Sequence, residues 1–313
     1  MKKIALILLS SLLFSTIALY FYTTDYLKGV VSTPKVVKIP KGSTKNLIEY
    51  LVSLGIDLHW FDEYLIKREG LAQAGWIDLE KNTLTRQELF KKITHSKAVL
   101  QKVTLIPGET KVIFLKELAE KFRLDFDKMI EHYKKIAPYE DGVIIADTYS
   151  VIKGINEDKL IDYLLYESLK KHKEIALKEL GDYNRDSWFN TIITKASIIQ
   201  KEAANIEEMP IISAVIDNRI KKNMKLQMDG TLNYGKFSHI KVTPKRIKDD
   251  NSSFNTYKNL GLPSSPVSSV SIDAIKAAIH PMKNDYLYFV KGKDKKHIFS
   301  KTYKEHLKSI KKK

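Results

Sequence analysis

Glu202, near the end of the run Lys195-Ala196-Ser197-Ile198-Ile199-Gln200-Lys201-Glu202-Ala203, is a candidate for acid–base chemistry. Drawn as a helix at about 100° per residue, Trp188, Phe189, Ile192, Ala196, Ile199 and Ala203 form one apolar stripe. Glu202 falls at the edge of that stripe, beside Ile198 and Lys195. A carboxyl partly shielded from water resists ionisation, as a general acid working near neutral pH requires. Lys195 would oppose that shift if it pointed inward. Taken alone, a glutamate at such a boundary is more often a solvated or ion-paired surface residue.

Other chemistries lack their markers. The chain has no cysteine, which removes thiol nucleophiles, disulfides, Cys-ligated metals and an acylated lipoprotein N-terminus. Its eight histidines never pair at ligand spacing, and there is no H-E-x-x-H, so no metal is expected. Ser-x-x-Lys begins at Ser150, Ser168, Ser238 and Ser309, but a chain this rich in lysine produces such matches by chance. No Lys-Thr-Gly accompanies them. G-x-S-x-G, G-x-G-x-x-G and Walker patterns are absent, so no cofactor is expected.

The elements around Glu202 belong to a chain of 313 residues, long enough for about two domains. Its 43% hydrophobic content, with only 13 Gly and 9 Pro, excludes disordered and collagen-like classes. Lys2 and Lys3 precede nineteen uncharged residues, Ile4 to Tyr22, and tyrosines 20, 22 and 26 crowd the far end. At 1.5 Å per residue the segment spans roughly 28 Å, near the thickness of a bilayer core. It reads as an uncleaved anchor with its N-terminus in the cytoplasm and the rest of the chain outside, not as a shorter, cleaved signal peptide.

Beyond the anchor, residues 36–40 read as a strand. Ser43 or Thr44 caps a helix carrying Leu47, Ile48, Leu51 and Leu54, and a second helix runs from about Leu58 to Gly70. Thr85-Arg86-Gln87-Glu88 fits a capping box. A strand from Ala98 to Ile106 completes a βααβ-like unit. Residues 111–185 are mainly helical, broken at Tyr139 to Tyr149. A helix is expected from Trp188 to Asn205, and Tyr286–Val290 with His297–Phe299 reads as a hairpin.

The net charge of +16 invites a nucleic-acid reading, but only six of the 53 basic residues are arginine. Base readout and bidentate phosphate contacts lean on arginine. The excess is lysine spread over solvated faces, including Lys293-Asp294-Lys295-Lys296 and the Lys311-Lys312-Lys313 tail, and it attracts anionic polymers or lipid headgroups generally.

Several of these runs resemble, in order, the motifs of MltG, or YceG-like, endolytic murein transglycosylases. The Lys195–Ala203 run is similar to the family's A-S-I-(V/I)-x-(K/R)-E. Asn218-Arg219 and Leu226-Gln227-Met228-Asp229-Gly230-Thr231-Leu232-Asn233-Tyr234-Gly235 resemble N-R-L…L-Q-S-D-P-T-V-x-Y-G. Ser253-Phe254-Asn255-Thr256-Tyr257, Gly261-Leu262-Pro263 and Pro266 resemble S-x-Y-N-T-Y…G-L-P-P-x-P-I. Ala277-Ala278-Ile279-His280-Pro281, Tyr286–Val290 and His297-Ile298-Phe299 match the closing motifs, and Asp147-Thr148-Tyr149 matches the end of E-G-Y-L-F-P-D-T-Y. Departures are Asp141 for Glu, Val143 for an aromatic, Ala146 for Pro, Met228 and Gly230 for Ser and Pro, and Gln200 where many members carry a second Glu.

The resemblance implies an α+β fold with three parts. A cytoplasmic N-terminus and transmembrane helix occupy 1–24, a LysM-like βααβ domain 35–98, and a larger mixed α+β catalytic domain 99–313. It implies a single-pass protein of the cytoplasmic membrane that cleaves MurNAc-GlcNAc bonds within peptidoglycan strands and leaves 1,6-anhydro ends. Termination of nascent strands is a further implied role. Glu202 would be the catalytic acid, with Gln227, Asp229, Asn255, Tyr257, Asp147 and Tyr149 binding substrate. Asn255 and Asp229 also suit turns, and Tyr257 suits a core. The implied partners are glycan strands, the membrane and peptidoglycan synthases, with no nucleic acid. The alternative is a non-catalytic, membrane-anchored glycan-binding scaffold.

Overall fold

The computed structural model describes residues 2–96, 99–294 and 296–311, so Ala98, Lys295 and the Lys312-Lys313 tail lie outside it. The chain forms two compact units, residues 1–101 with 151–154, and residues 102–150 with 155–313.

The first unit begins with helix α1 (Lys2–Lys28), whose residues 7–28 are long and apolar enough to cross a membrane. Its C-terminal end is fastened to the unit. Tyr26 donates its hydroxyl to buried Asp62 (2.9 Å), and the Arg86 guanidinium lies 4.3 Å over the Tyr26 ring. Strands β1 (Val30–Ser32) and β2 (Val36–Ile39) follow, then α2 (Thr44–Ser53), α3 (Asp62–Glu69), β3 (Gly75–Asp78), β4 (Thr83–Thr85) and α4 (Arg86–His95). Ser43 is the N-cap of α2, and Thr85 and Glu88 form the capping box of α4 in both directions.

The strand–helix–helix–strand order is present as β2-α2-α3-β3, but its closing strand is β3 and not the expected strand from Ala98 to Ile106. β2 pairs antiparallel with β3, and β1 with β4, whereas β5 (Leu100–Thr104) pairs with β6 (Thr148–Ile152). Strands as short as Gly75–Asp78 carry too few residues for their alternation to stand out. Leu51, Ile66, Leu79, Leu89 and Phe90 are fully buried between these elements and form the unit's core.

The second unit is mainly helical. α5 (Lys111–Phe122), α6 (Phe126–Ile136) and α7 (Glu157–Leu180) lead to the one-turn α8 (Arg185–Ser187). Residues Trp188–Ile193 then form a π-helical segment, and α9 covers Thr194–Glu202. The expected single helix from Trp188 to Asn205 is therefore wound in two ways and ends at Glu202. The looser π turn lets Thr194 Oγ1 donate to the Phe189 carbonyl five residues back (2.8 Å). α10 (Met209–Lys221), α11 (Pro244–Asp249) and α12 (Ile272–Ile279) surround α9 or the loops beside it. The hairpin of β7 (Tyr288–Lys291) and β8 (His297–Ser300) pairs Phe289 with Phe299, and α13 (Tyr303–Lys311) packs on it.

The broken run from 139 to 149 is a buried brace. Val143, Ile144 and Ile145 are nearly inaccessible, and His172 donates from Nε2 to the carbonyls of Gly142 and Val143 (3.1 Å each) while Nδ1 accepts from the Trp188 indole (3.1 Å). Burial lowers the His172 pKa to about 4, so the ring stays neutral and can play both parts. Trp188 opens the π segment, so this contact ties the brace to the approach of α9.

Candidate active site

Glu202 is the last residue of α9, with Thr194, Ala196, Ser197, Ile198 and Ile199 buried behind it. Its side chain is partly buried and borders a cleft of 340 Å³. Oε1 accepts a hydrogen bond from the Gly230 N–H at 2.7 Å. Burial, with Asp229 as a nearby like charge, pushes its pKa up to about 7, against the lowering effect of the Gly230 bond. The negative end of the α9 dipole acts in the same direction as burial. A carboxyl of this kind is poised between its protonated and charged forms at neutral pH and can both release and recover a proton.

Lys195 does not oppose the shift. Its ammonium turns the other way, donating to Asp217 (2.7 Å) and to the Ala278 carbonyl (3.1 Å). Gln200 is also spent on the fold: its Oε1 accepts from the N–H of Ser271, the N-cap residue of α12. Glu202 is therefore the carboxyl that α9 presents to the cleft.

The loop from 226 to 232 supplies a second side of the site. Gln227, Asp229 and Tyr257 line the same cleft as Glu202. Tyr257 donates to Asp229 Oδ1 at 2.6 Å, and its own pKa is raised by burial and by that carboxylate, so it remains a donor. Gly230 is constrained by proximity: a Cβ there would lie 2.6 Å from the Lys201 Cβ and 2.8 Å from Glu202 Oε1.

The other expected binding residues lie elsewhere. Asn255 is fully buried, and its amide donates to the carbonyls of Ile247 (2.8 Å) and Asp250 (2.7 Å) while its oxygen accepts from the Tyr257 N–H (3.1 Å). It shapes the loop that carries Tyr257 and does not border the cleft. Asp147 and Tyr149 line a separate pocket of 230 Å³. Asp147 pairs with Lys171, and the buried Tyr149 hydroxyl donates to the Ile145 carbonyl (2.7 Å).

Sequence reasoning overlooked the remaining wall, formed by Arg219, Tyr288, Phe289, Tyr303 and His306. Arg219 and Tyr288 stand inside motifs already quoted, so the signal was present without a role attached. Tyr303 and His306 carried none.

The YceG-like family model matches residues 37–312, which is most of the chain. The chain belongs to the YceG-like family. Among curated relatives, the endolytic murein transglycosylase of Bacillus subtilis (strain 168) is 27% identical over 315 residues, covering 87% of this chain and 83% of that protein. The endolytic murein transglycosylase of Streptococcus pneumoniae (strain R6) is 28% identical over 292 residues, covering 89% of this chain, which spans about half (49%) of that longer relative. The crystal structure of a yceG-like protein from Listeria monocytogenes matches with a TM-score of 0.55 at 23% identity, covering 87% of this chain and 97% of the other, and so shares its fold.

Proposed function

We propose that this YceG-like protein is an endolytic murein transglycosylase that cleaves the MurNAc-GlcNAc bond within glycan strands, with Glu202 as its acid and base. The observation that carries this reading is the Glu202 carboxyl at the end of α9, lining a polar cleft with its pKa raised to about 7 by burial.

One carboxyl suffices because the substrate supplies what a second would do in an ordinary glycosidase. Glu202 donates its proton to the bridging oxygen as the C1–O bond breaks, releasing the GlcNAc hydroxyl. The MurNAc 2-acetamido oxygen stabilises the cationic C1. The Glu202 carboxylate then takes the proton from O6, and O6 bonds to C1 to give the 1,6-anhydro ring. No water is consumed, and Glu202 ends protonated as it began. Its pKa of about 7 suits both halves of this cycle. Gln227, Asp229 and Tyr257 position the sugar and its acetamido group, Asn255 holds the loop that carries Tyr257, and Asp147 and Tyr149 are assigned to a more distant stretch of strand.

Helix α1 anchors the protein in the cytoplasmic membrane with its N-terminus inside, and residues 35–98 act as a LysM-like module that holds glycan near the membrane. Peptidoglycan synthases are the proposed partners, with strand termination as the outcome. Glu202→Gln keeps size and polarity but removes the titrating group. It should abolish release of anhydro-muropeptides from uncrosslinked glycan, read by mass spectrometry. Cleavage by the variant at the parental rate would overturn the assignment, and parental protein that binds glycan without producing anhydro ends would favour the scaffold reading.

A further inference from the structure

The cleft wall that Glu202 chemistry leaves unused is built from aromatic rings over a cation. Tyr288 on β7 stacks on His306 of α13, with ring centroids 5.3 Å apart and planes 23° apart, and packs against Tyr303 at 5.8 Å. Tyr303 remains 59% exposed. Beneath them Arg219 is buried, with its guanidinium 5.1 Å from the Tyr288 ring centre. Its Nε donates to the Leu287 carbonyl (2.6 Å) and Nη1 to the carbonyls of Lys225 and Leu226 (2.9 Å each). Among the described residues no carboxylate lies within ion-pair distance of Arg219, although a buried charge is ordinarily paired. Burial, and then the positive field of Arg219, lower the His306 pKa, which disfavours a second cation in the stack.

The exposed Tyr303 ring beside a polar cleft suits the C–H face of a pyranose, and a buried cation without a carboxylate partner beneath the neighbouring Tyr288 favours a ligand carrying a negative charge. We propose that Tyr288 and Tyr303, over the charge of Arg219, form a subsite for a sugar ring bearing a carboxylate. The inference rests on glycan being the substrate of the cleft. It assigns the ring to the carboxylate-bearing sugar of the strand, with the charge coming either from the lactyl ether or from the peptide attached through it. Asn218 and Arg219 make the subsite part of the fold, because the Asn218 amide also donates to the carbonyls of Asn284 (2.9 Å) and Tyr286 (3.0 Å) on the approach to β7.

The test is calorimetric binding of uncrosslinked glycan fragments to the full-length protein in detergent, in the non-cleaving Glu202→Gln background. Fragments are used in three forms: peptide-free with the lactyl carboxylate exposed, peptide-free with that carboxylate amidated, and peptide-bearing. Tyr303→Ala should weaken binding roughly tenfold, a loss typical of one aromatic contact. Tyr303→Phe should restore it. Weaker binding on amidation places the charge on the sugar, and binding recovered only with peptides places it on the stem; either supports the subsite. Unchanged affinity in Tyr303→Ala, or affinity indifferent to substrate carboxylates in all three forms, would overturn it. Arg219 is left intact because its loss would disturb the fold. Should Glu202→Gln prove to cleave, the catalytic assignment fails, whereas the Tyr303 comparison, repeated with short uncleaved fragments, still decides the subsite.

Discussion

At the scale of the residue, Glu202 is poised by opposing effects. Burial, the end of α9 and Asp229 favour its protonated form, and one hydrogen bond from Gly230 favours its charged form. The motif that the chain resembles has proline at position 230, and proline has no N–H to give. Gly230→Pro removes the donor from the carboxylate, so the pKa should rise. A general acid loses activity as pH climbs through its pKa, so the alkaline limb of kcat/KM should move upward, by about one unit for a bond to a charged group. The added ring also crowds Lys201 and Glu202, which lowers the rate at every pH without moving the limb. An unmoved limb would show that the Gly230 bond does not tune the acid.

At the scale of the element, α9 depends on the brace before it. Gly142 sits at a φ of +75°, where a side chain is strained, and a Cβ would come within 2.5 Å of Pro266 and 3.0 Å of Ile193. Ile193 is the last residue of the π segment, so the strain would pass directly into the start of α9. Gly142→Ala should cost about 2–4 kcal/mol in denaturant unfolding and reduce turnover, while leaving the pH limb in place. His172 holds the centre of the brace: its Nε2 donates to the Gly142 and Val143 carbonyls, buried groups that need a partner.

At the scale of the whole molecule, the proposed anchor ends in a built contact. Tyr26 meets Asp62 and Arg86, and burial raises the Asp62 pKa. Deleting residues 1–24 keeps that contact and should move the protein to the soluble fraction with little change in unfolding midpoint. Deleting 1–29 also removes Tyr26 and leaves a buried carboxyl short of a partner, at a cost of about 1–3 kcal/mol. Equal midpoints for the two truncations would show that the Tyr26 contact does not stabilise the first unit. The net charge of +16 reflects a lysine excess along the chain, which attracts anionic polymers and headgroups generally.

Features made by near neighbours were legible in the sequence. The capping box at Thr85 and Glu88, the α2 stripe, the closing hairpin and the place of Glu202 on its helix follow from spacings of a few residues, which local chain geometry enforces. Whether those features make a site depended on partners far along the chain. Lys195 finds Asp217 and Ala278, 22 and 83 residues away, and Glu202 finds Gly230, 28 residues away. Asn255 and Tyr257 are two residues apart, yet one is consumed by backbone carbonyls and the other faces the cleft. The sequence by itself determined which carboxyl is the candidate acid. Only the tertiary structure decided its protonation, the direction of Lys195 and the aromatic wall beside it, because burial and field depend on packing between segments that no local pattern records.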